Sequence, residues 1–354
     1  MARKGTLSHT LVLPDGSRKW IYAKTQEELD KKVLDFQIQL GMGIDLKNQD
    51  TFGEYAQMWY RTYKAPYLRP KSKEAVLNTL NKHILPVISG YRMRDITPMH
   101  LQILFNRLTG KSESLNHKVK VTLGEIFKTA IANNVIMKTP LVDTVKIEGS
   151  KAKEKEPLTP EEEQQLLDVL RSDKNQGAQN CYLFCLLASK TGLRCGELCG
   201  LMWSDINFDK AELTVKHNCI WTNDSSAEIT STPKTDAGYR TIPLTATVLD
   251  ALKAERVKAN SMLVFHLQKD GKPLTQTAYR KMWNHTKKAK ISTPLTAHVL
   301  RHTFCTRLFE KGFDIKEIQY LMGHATPEMT MKVYTHYSKK SRYEDTASRL
   351  RAAM

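Results

Sequence analysis

The run Gly149-Ser150-Lys151-Ala152-Lys153-Glu154-Lys155-Glu156-Pro157 carries charge without apolar periodicity, so it can bury little and reads as a flexible tether. It divides the chain into halves that must each find a core. With 354 residues the sequence has room for two or three compact units. Residues 6 to 13 and 17 to 23 are β-rich and flank the turn signal Pro14-Asp15-Gly16. Thr25 with Glu28 three places on forms a capping box that opens a helix to about Leu40. Gly41-Met42-Gly43 breaks the pattern, and Thr51 with Glu54 repeats the capping signature ahead of an aromatic-rich helix through Tyr60. Apolar residues then recur at helical spacing from Pro70 to Ile84, Pro98 to Leu108 and Ser114 to Ala132.

Beyond the tether, Thr159, Pro160 and Glu162 mark another helix start, and helical patterns run to residue 203. Residues 211 to 221 and the pair flanking Asp236-Ala237-Gly238 change to strand period, and helix returns from about residue 275. The expected architecture is therefore multidomain, mainly α with small β elements. It comprises a β-hairpin and helix module over 1–46, an all-helical bundle over 47–148, a linker over 149–157 and a mixed α+β, mainly helical domain over 158–354.

The chain has 54 Lys and Arg against 37 Asp and Glu, a formal charge of +17, which points to a polyanionic partner. Basic residues number 7 against 6 acidic over 1–46, 19 against 10 over 47–157 and 28 against 21 over 158–354. Contact along phosphates needs repeated cations, because each neutralised phosphate releases counterions. The two later segments fit that role, with nucleic acid ahead of an anionic membrane as partner. No run of eighteen apolar residues occurs, and Met1-Ala2-Arg3-Lys4-Gly5 lacks the apolar centre of a signal peptide, so a cytoplasmic location is expected. All six cysteines lie beyond residue 180 of a large chain, and free thiols are the plain reading.

Four segments of the last domain hold residues suited to chemistry on a phosphate. Thr191-Gly192-Leu193-Arg194-Cys195-Gly196-Glu197-Leu198 sets an arginine after a helix-ending glycine, with a carboxylate three residues on. Alone, such a pair is more often a surface ion pair than a site. Lys234 sits beside the turn Asp236-Ala237-Gly238, where a solvated lysine is the default. In His298-Val299-Leu300-Arg301-His302 the helical period puts His298 and Arg301 on one face. Leu321-Met322-Gly323-His324 closes one helix, and Thr326-Pro327-Glu328 opens the next, toward Tyr334.

Taken in order, Arg194, Lys234, His298, Arg301, His324 and Tyr334 resemble the tyrosine recombinase (phage integrase) family, whose sites join Arg, a hairpin Lys, His-x-x-Arg, a His or Trp, and Tyr. The match spans residues 158 to 340, carried by TGLRCGEL, HVLRHTFCTRL and LMGHATPEMTMKVYTH. Residues 47 to 148 resemble the family's helical core-binding domain more loosely, and 1 to 46 its arm-binding module most weakly, with two strands where three are common. The resemblance implies a site-specific recombinase that cleaves and rejoins DNA through a covalent 3′-phosphotyrosine, to integrate or excise a mobile element, with no metal or nucleotide cofactor. It implies Arg194 and Arg301 on the non-bridging oxygens, Lys234 as general acid, His298 assisting Tyr334, His324 bonding the phosphate and Glu197 orienting cationic neighbours. Its implied partners are double-stranded DNA at core sites and at arm sites, three further protomers in a tetramer on DNA, and an accessory DNA-bending or excision protein. The tail from Lys339 to Met354 places Tyr343, Ala347, Leu350 and Ala353 at helical spacing, which suits docking on a neighbour.

Other motifs have plainer readings. Tyr337 and Tyr343 compete with Tyr334 only outside the family register. His298 and His302 lack the intervening Glu of a zinc protease, and Gly110-Lys111-Ser112 lacks the first glycine of a phosphate loop. The cysteine pairs 181/185 and 195/199 have the wrong spacing for zinc ribbons, and Glu161-Glu162-Glu163 fits the first turn of a helix. The rival functions are a non-catalytic DNA-binding regulator, a chromosome-dimer resolvase, a type IB topoisomerase and a metal-dependent nuclease.

Overall fold

The computed structural model describes residues 6–12, 16, 18–41, 50–151, 156–223, 225–231, 238–331, 333 and 351. The chain forms two compact units, Met1–Lys153 and Glu154–Met354. The architecture is mainly helical with three small sheets, as the periodicities require.

In the first unit, β1 (Leu7–Val12) and β2 (Arg18–Ala23) pair antiparallel, with Val12 opposite Arg18, Thr10 opposite Trp20 and Ser8 opposite Tyr22. That period-two face, including Arg18, Trp20 and Tyr22, is exposed on β2, while Ala23 is buried on the other. α1 (Gln26–Gly41) follows, with Leu29 buried, and the Thr25 hydroxyl accepts from Glu28 N at 3.2 Å. Next come α2 (Phe52–Trp59), α3 (Pro70–Thr79), α4 (Leu85–Ile88), α5 (Pro98–Asn106) and α6 (Glu113–Ala132). Both halves of the Thr51–Glu54 capping box form. On α6, Val119, Leu123, Ile126, Phe127 and Ala130 share one stripe and are buried with Phe52, Tyr55 and Trp59 of α2.

The sequence period missed two π-helical turns, Tyr60–Lys64 and Leu80–Ile84. Each ends two residues before a proline, Pro66 and Pro86. Proline lacks the N–H a helix needs and clashes with the carbonyl four residues back, and a widened turn relieves both constraints.

In the second unit, α7 (Pro160–Ser172) starts at the Thr159–Glu162 capping box. α8 (Gln176–Thr191) is buried nearly all round, through Cys181, Leu183, Phe184, Cys185, Leu186 and Leu187, because it packs against α7, α10 (Ala246–Arg256), α11 (Gln276–Met282) and α12 (Ala297–Glu310). α9 (Cys195–Cys199) and α13 (Ile315–Met322) complete the helices that frame the site. The strands are β3 (Ile206–Asn207), β4 (Glu212–Val215), β5 (Asn218–Asn223), β6 (Ser226–Thr230) and β7 (Arg240–Pro243).

The strands on either side of residues 232–237 do not pair with each other, against the expectation of a simple hairpin. β6 pairs with β5, and β7 joins β4 with Val215 opposite Arg240 and Leu213 opposite Ile242. Burial decides this, because Leu213, Val215, Arg240 and Ile242 all face inward in that register. The six cysteines are free thiols, five buried and Cys195 half-buried. Among the described residues no helix is long and apolar enough to cross a membrane.

Candidate active site

Three consecutive carbonyls at the C-terminal end of α13 each accept a hydrogen bond from a different arginine. Arg240 Nε donates to Leu321 O at 2.8 Å, Arg301 Nη2 donates to Met322 O, and Arg194 Nη2 donates to Gly323 O. A helix leaves its last carbonyls without intrahelical donors and carries the negative end of its dipole there, so cations satisfy both demands. Gly323, at φ 60°, turns the chain sharply out of α13 and places His324 beside the cluster.

The end of α8 is built similarly. Gly192, at φ 63°, caps it, and its carbonyl accepts from Arg301 Nη1. A Cβ there would lie 2.4 Å from Phe304 Cδ1 and 3.0 Å from Met322 Sδ, so both conformation and space demand glycine. Arg194 follows at the N-cap of α9, with its guanidinium 2.7 Å from Glu197 Oε1 and its backbone N–H 2.8 Å from Glu197 Oε2.

Glu197 joins two of the arginines. Arg240 Nη1 and Nη2 donate to Glu197 Oε1 and Oε2 at 3.2 and 2.9 Å, and the Arg240 side chain is wholly buried. Burial pushes the Glu197 carboxyl up, but the hydrogen bonds and charge of Arg240, the charge of Arg194 and the Arg194 N–H outweigh it, and the group titrates at about 2. Arg301 is buried as well. Burial first and then the Arg194 charge lower it to about 9, against the pull of Glu197, and it stays cationic at neutral pH.

His324 is buried, with Nδ1 2.8 Å from Thr330 Oγ1. Burial, followed by the charges of Arg301, Arg194, Arg240 and His298, holds its imidazole down at about 4, so it is neutral at pH 7. His298 lies exposed in the first turn of α12, near enough for its charge to act on His324.

Of the residues singled out in the sequence, Arg194, Glu197, Arg301 and His324 thus meet around the end of α13, with His298 at their edge. Lys234 and Tyr334 lie outside the described residues, as do Tyr337 and Tyr343. Arg240 escaped the sequence reading. Its only local signal is a place on the inward face of β7, two residues from the apolar Ile242.

Residues 156–341 match the phage integrase family, and residues 51–109 match the phage integrase N-terminal SAM-like domain. Across 92% of this chain and 89% of the relative, 27% of residues are identical to a XerC-like tyrosine recombinase of Caldanaerobacter subterraneus subsp. tengcongensis. The transposase of transposon Tn916 from Enterococcus faecalis is also 27% identical, over 92% of this chain and 82% of its own. The Tn1549 transposon integrase, solved in complex with transposon right end DNA, superposes with a TM-score of 0.71 at 25% identity, over 86% of this chain and all of that one. The chain belongs to the phage integrase family. It is a tyrosine-type site-specific recombinase of the transposon or phage integrase kind.

Proposed function

We propose that the arginine cluster at the end of α13 holds a scissile DNA phosphate, which Tyr334 attacks to form a 3′-phosphotyrosine while the 5′ oxygen departs. The observation that carries this reading is the anchoring of Arg194 and Arg301 on the adjacent carbonyls of Gly323 and Met322, with neutral His324 next to both. Phosphoryl transfer builds charge on the non-bridging oxygens, and preorganised donors lower that barrier most. Planar guanidinium forks suit two-oxygen contact. Arg194 and Arg301 take those oxygens, with His324 as a third donor. Glu197 fixes Arg194 from within the fold and touches no substrate.

Lys234 gives its proton to the departing 5′ oxygen, and His298 assists the Tyr334 phenol, which at an ordinary pKa near ~10 is protonated at neutral pH. The phosphotyrosine keeps the energy of the broken bond, so a 5′ hydroxyl from another strand reseals it without nucleotide hydrolysis. Exchange between two duplexes breaks and rejoins four strands, and with one Tyr334 per chain it requires four protomers. Accessory DNA-bending or excision proteins fit such an assembly. The substrate is an integrating or excising mobile element. Residues 47–148 clamp its core site together with the catalytic domain 158–354, and 149–157 form the linker.

Residues 1–46 read arm DNA through the exposed Arg18, Trp20 and Tyr22 face of β2. Basic and aromatic side chains on one sheet face suit a phosphate-lined groove.

A nicked suicide substrate carrying the cognate core site tests the reading. The wild-type chain should become covalently joined to DNA in excess chelator, and the Tyr334→Phe chain should bind but not join. Covalent joining by Tyr334→Phe overturns it. A chain lacking residues 1–46 should keep core binding and lose arm binding.

A further inference from the structure

We propose that Thr330 is a positioning residue for strand cleavage: its hydroxyl donates to His324 Nδ1 and locks the imidazole in the tautomer that carries its proton on Nε2. The inference rests on the reading of His324 as a donor to the scissile phosphate and supplies what that reading lacks, a reason why the donor nitrogen is protonated.

Thr330 lies in the helical stretch 327–331, is completely buried, and has Oγ1 2.8 Å from His324 Nδ1. A buried hydroxyl must place its single proton on an acceptor, because an unsatisfied buried donor loses its bonds to water without replacement. Threonines within helices commonly give that proton to the carbonyl one turn back. Thr303 does so to Val299 O and Thr306 to His302 O, both in α12. Thr330 makes no such bond, and among the described residues Nδ1 of His324 is its hydrogen-bond partner. The hydroxyl is therefore the donor and Nδ1 the acceptor. A neutral imidazole that accepts at one nitrogen donates at the other.

The surroundings favour the same form. His324 is flanked by cationic arginines and is neutral at pH 7, so it cannot rely on a second proton to serve as donor. Without Thr330, the Nδ1–H tautomer would present a lone pair to an anionic phosphate. The hydroxyl thus selects the sign of the dipole that His324 turns to its substrate. Thr330 touches neither phosphate nor nucleophile in this scheme and acts only through the ring.

Two measurements on the full-length protein test this. Histidine selectively labelled with 15N, with His324 assigned by His324→Ala, reports the tautomer directly. The expected result is a pyridine-like Nδ1 and a protonated Nε2 in the wild type, with the protonated fraction of Nε2 reduced in Thr330→Val. A protonated Nδ1 in the wild type overturns the proposal even if no variant folds.

The second measurement is single-turnover joining to a nicked suicide substrate. Thr330→Val should slow it on the order of tenfold, Thr330→Ser should restore it to within about twofold, and Thr330→Val should add nothing in a His324→Ala background. An equal penalty with and without His324 overturns the proposal, since it marks a merely structural threonine. If Tyr334→Phe is inert while Thr330→Val joins DNA at the wild-type rate, this inference falls and the functional reading survives. If Tyr334→Phe joins DNA, both fall.

Discussion

Arg240 grips Glu197 with both terminal nitrogens, at 3.2 and 2.9 Å, in a setting where the arginine side chain has no solvent exposure and the carboxylate keeps 7%. Each charge is tolerable inside the fold because the other is there. Replacing one partner strands its mate, whereas surface pairs can be lost almost unnoticed.

Arg240→Ala should consequently lower unfolding stability by about 3–5 kcal/mol in urea titrations. It should also slow joining to DNA, because the Glu197 carboxylate that holds Arg194 loses the partner that fixes its own position. Lys288→Ala, which removes a surface pair with Asp173, serves as the control and should cost far less. Equal losses for the two variants would refute the special standing of the Arg240 pair.

Acid should unfold the catalytic unit in two windows. Glu197 and His324 both bind protons more weakly when folded than when unfolded, so unfolding takes up protons and falling pH promotes it. The His324 contribution is complete above its ordinary value of 6.5 and disappears as pH falls toward about 4. The Glu197 contribution is complete above 4.5 and disappears toward about 2, and its full size is about 3 kcal/mol. Urea midpoints recorded from pH 7.5 to 3 should show both slopes, and His324→Gln should flatten only the upper one. Curves of identical shape for the two proteins would contradict this assignment.

Gly192→Ala should damage stability and activity together. The new methyl group meets the Phe304 ring at 2.4 Å in a left-handed backbone, and relief moves the carbonyl that anchors Arg301. A loss of at least about 1–3 kcal/mol in thermal melts is expected, with a fall in joining well beyond the fraction unfolded. Gly312, also at positive φ but with open space around the added carbon, provides the contrast. Its alanine variant should show strain without loss of joining per folded molecule.

The two arginines proposed to hold the phosphate should separate when changed to lysine. Arg194 has 39% of its side chain exposed, so Arg194→Lys should leave stability within about 1 kcal/mol while joining falls on the order of 100-fold or more. Arg301 bridges Gly192 O and Met322 O from a buried position, a geometry one ammonium cannot copy, so Arg301→Lys should lose stability as well. Circular dichroism melts alongside suicide-substrate kinetics distinguish the pair.

Features governed by a few neighbouring residues were legible in the sequence. Thr51 with Glu54 and Thr159 with Glu162 marked helix starts to the residue, because a capping box is complete within four positions. Arg194, Glu197, Arg301 and His324 were legible because their spacing follows a family pattern, and folding gathers them on the end of α13. Arg240 was one of 54 basic residues, and its distinction comes from β7 pairing with β4, a contact between segments 25 or more residues apart. The bond from Thr330 to His324 depends on the angle at which the chain leaves Gly323, which no local pattern encodes. The π-helical turns before Pro66 and Pro86 have a local cause, yet a strict 3.6-residue period passes over them.

The carbonyls of Met322 and Gly323 depend on the same arginines that would hold DNA, and that of Leu321 depends on Arg240 beside them. Chemistry and scaffold therefore share atoms, which limits the routes by which this lineage can decay. A descendant that stops recombining no longer needs a nucleophile, but shedding Arg301 or Arg240 leaves a helix end unclothed. Silent relatives should accordingly retain the arginines long after the nucleophile has drifted.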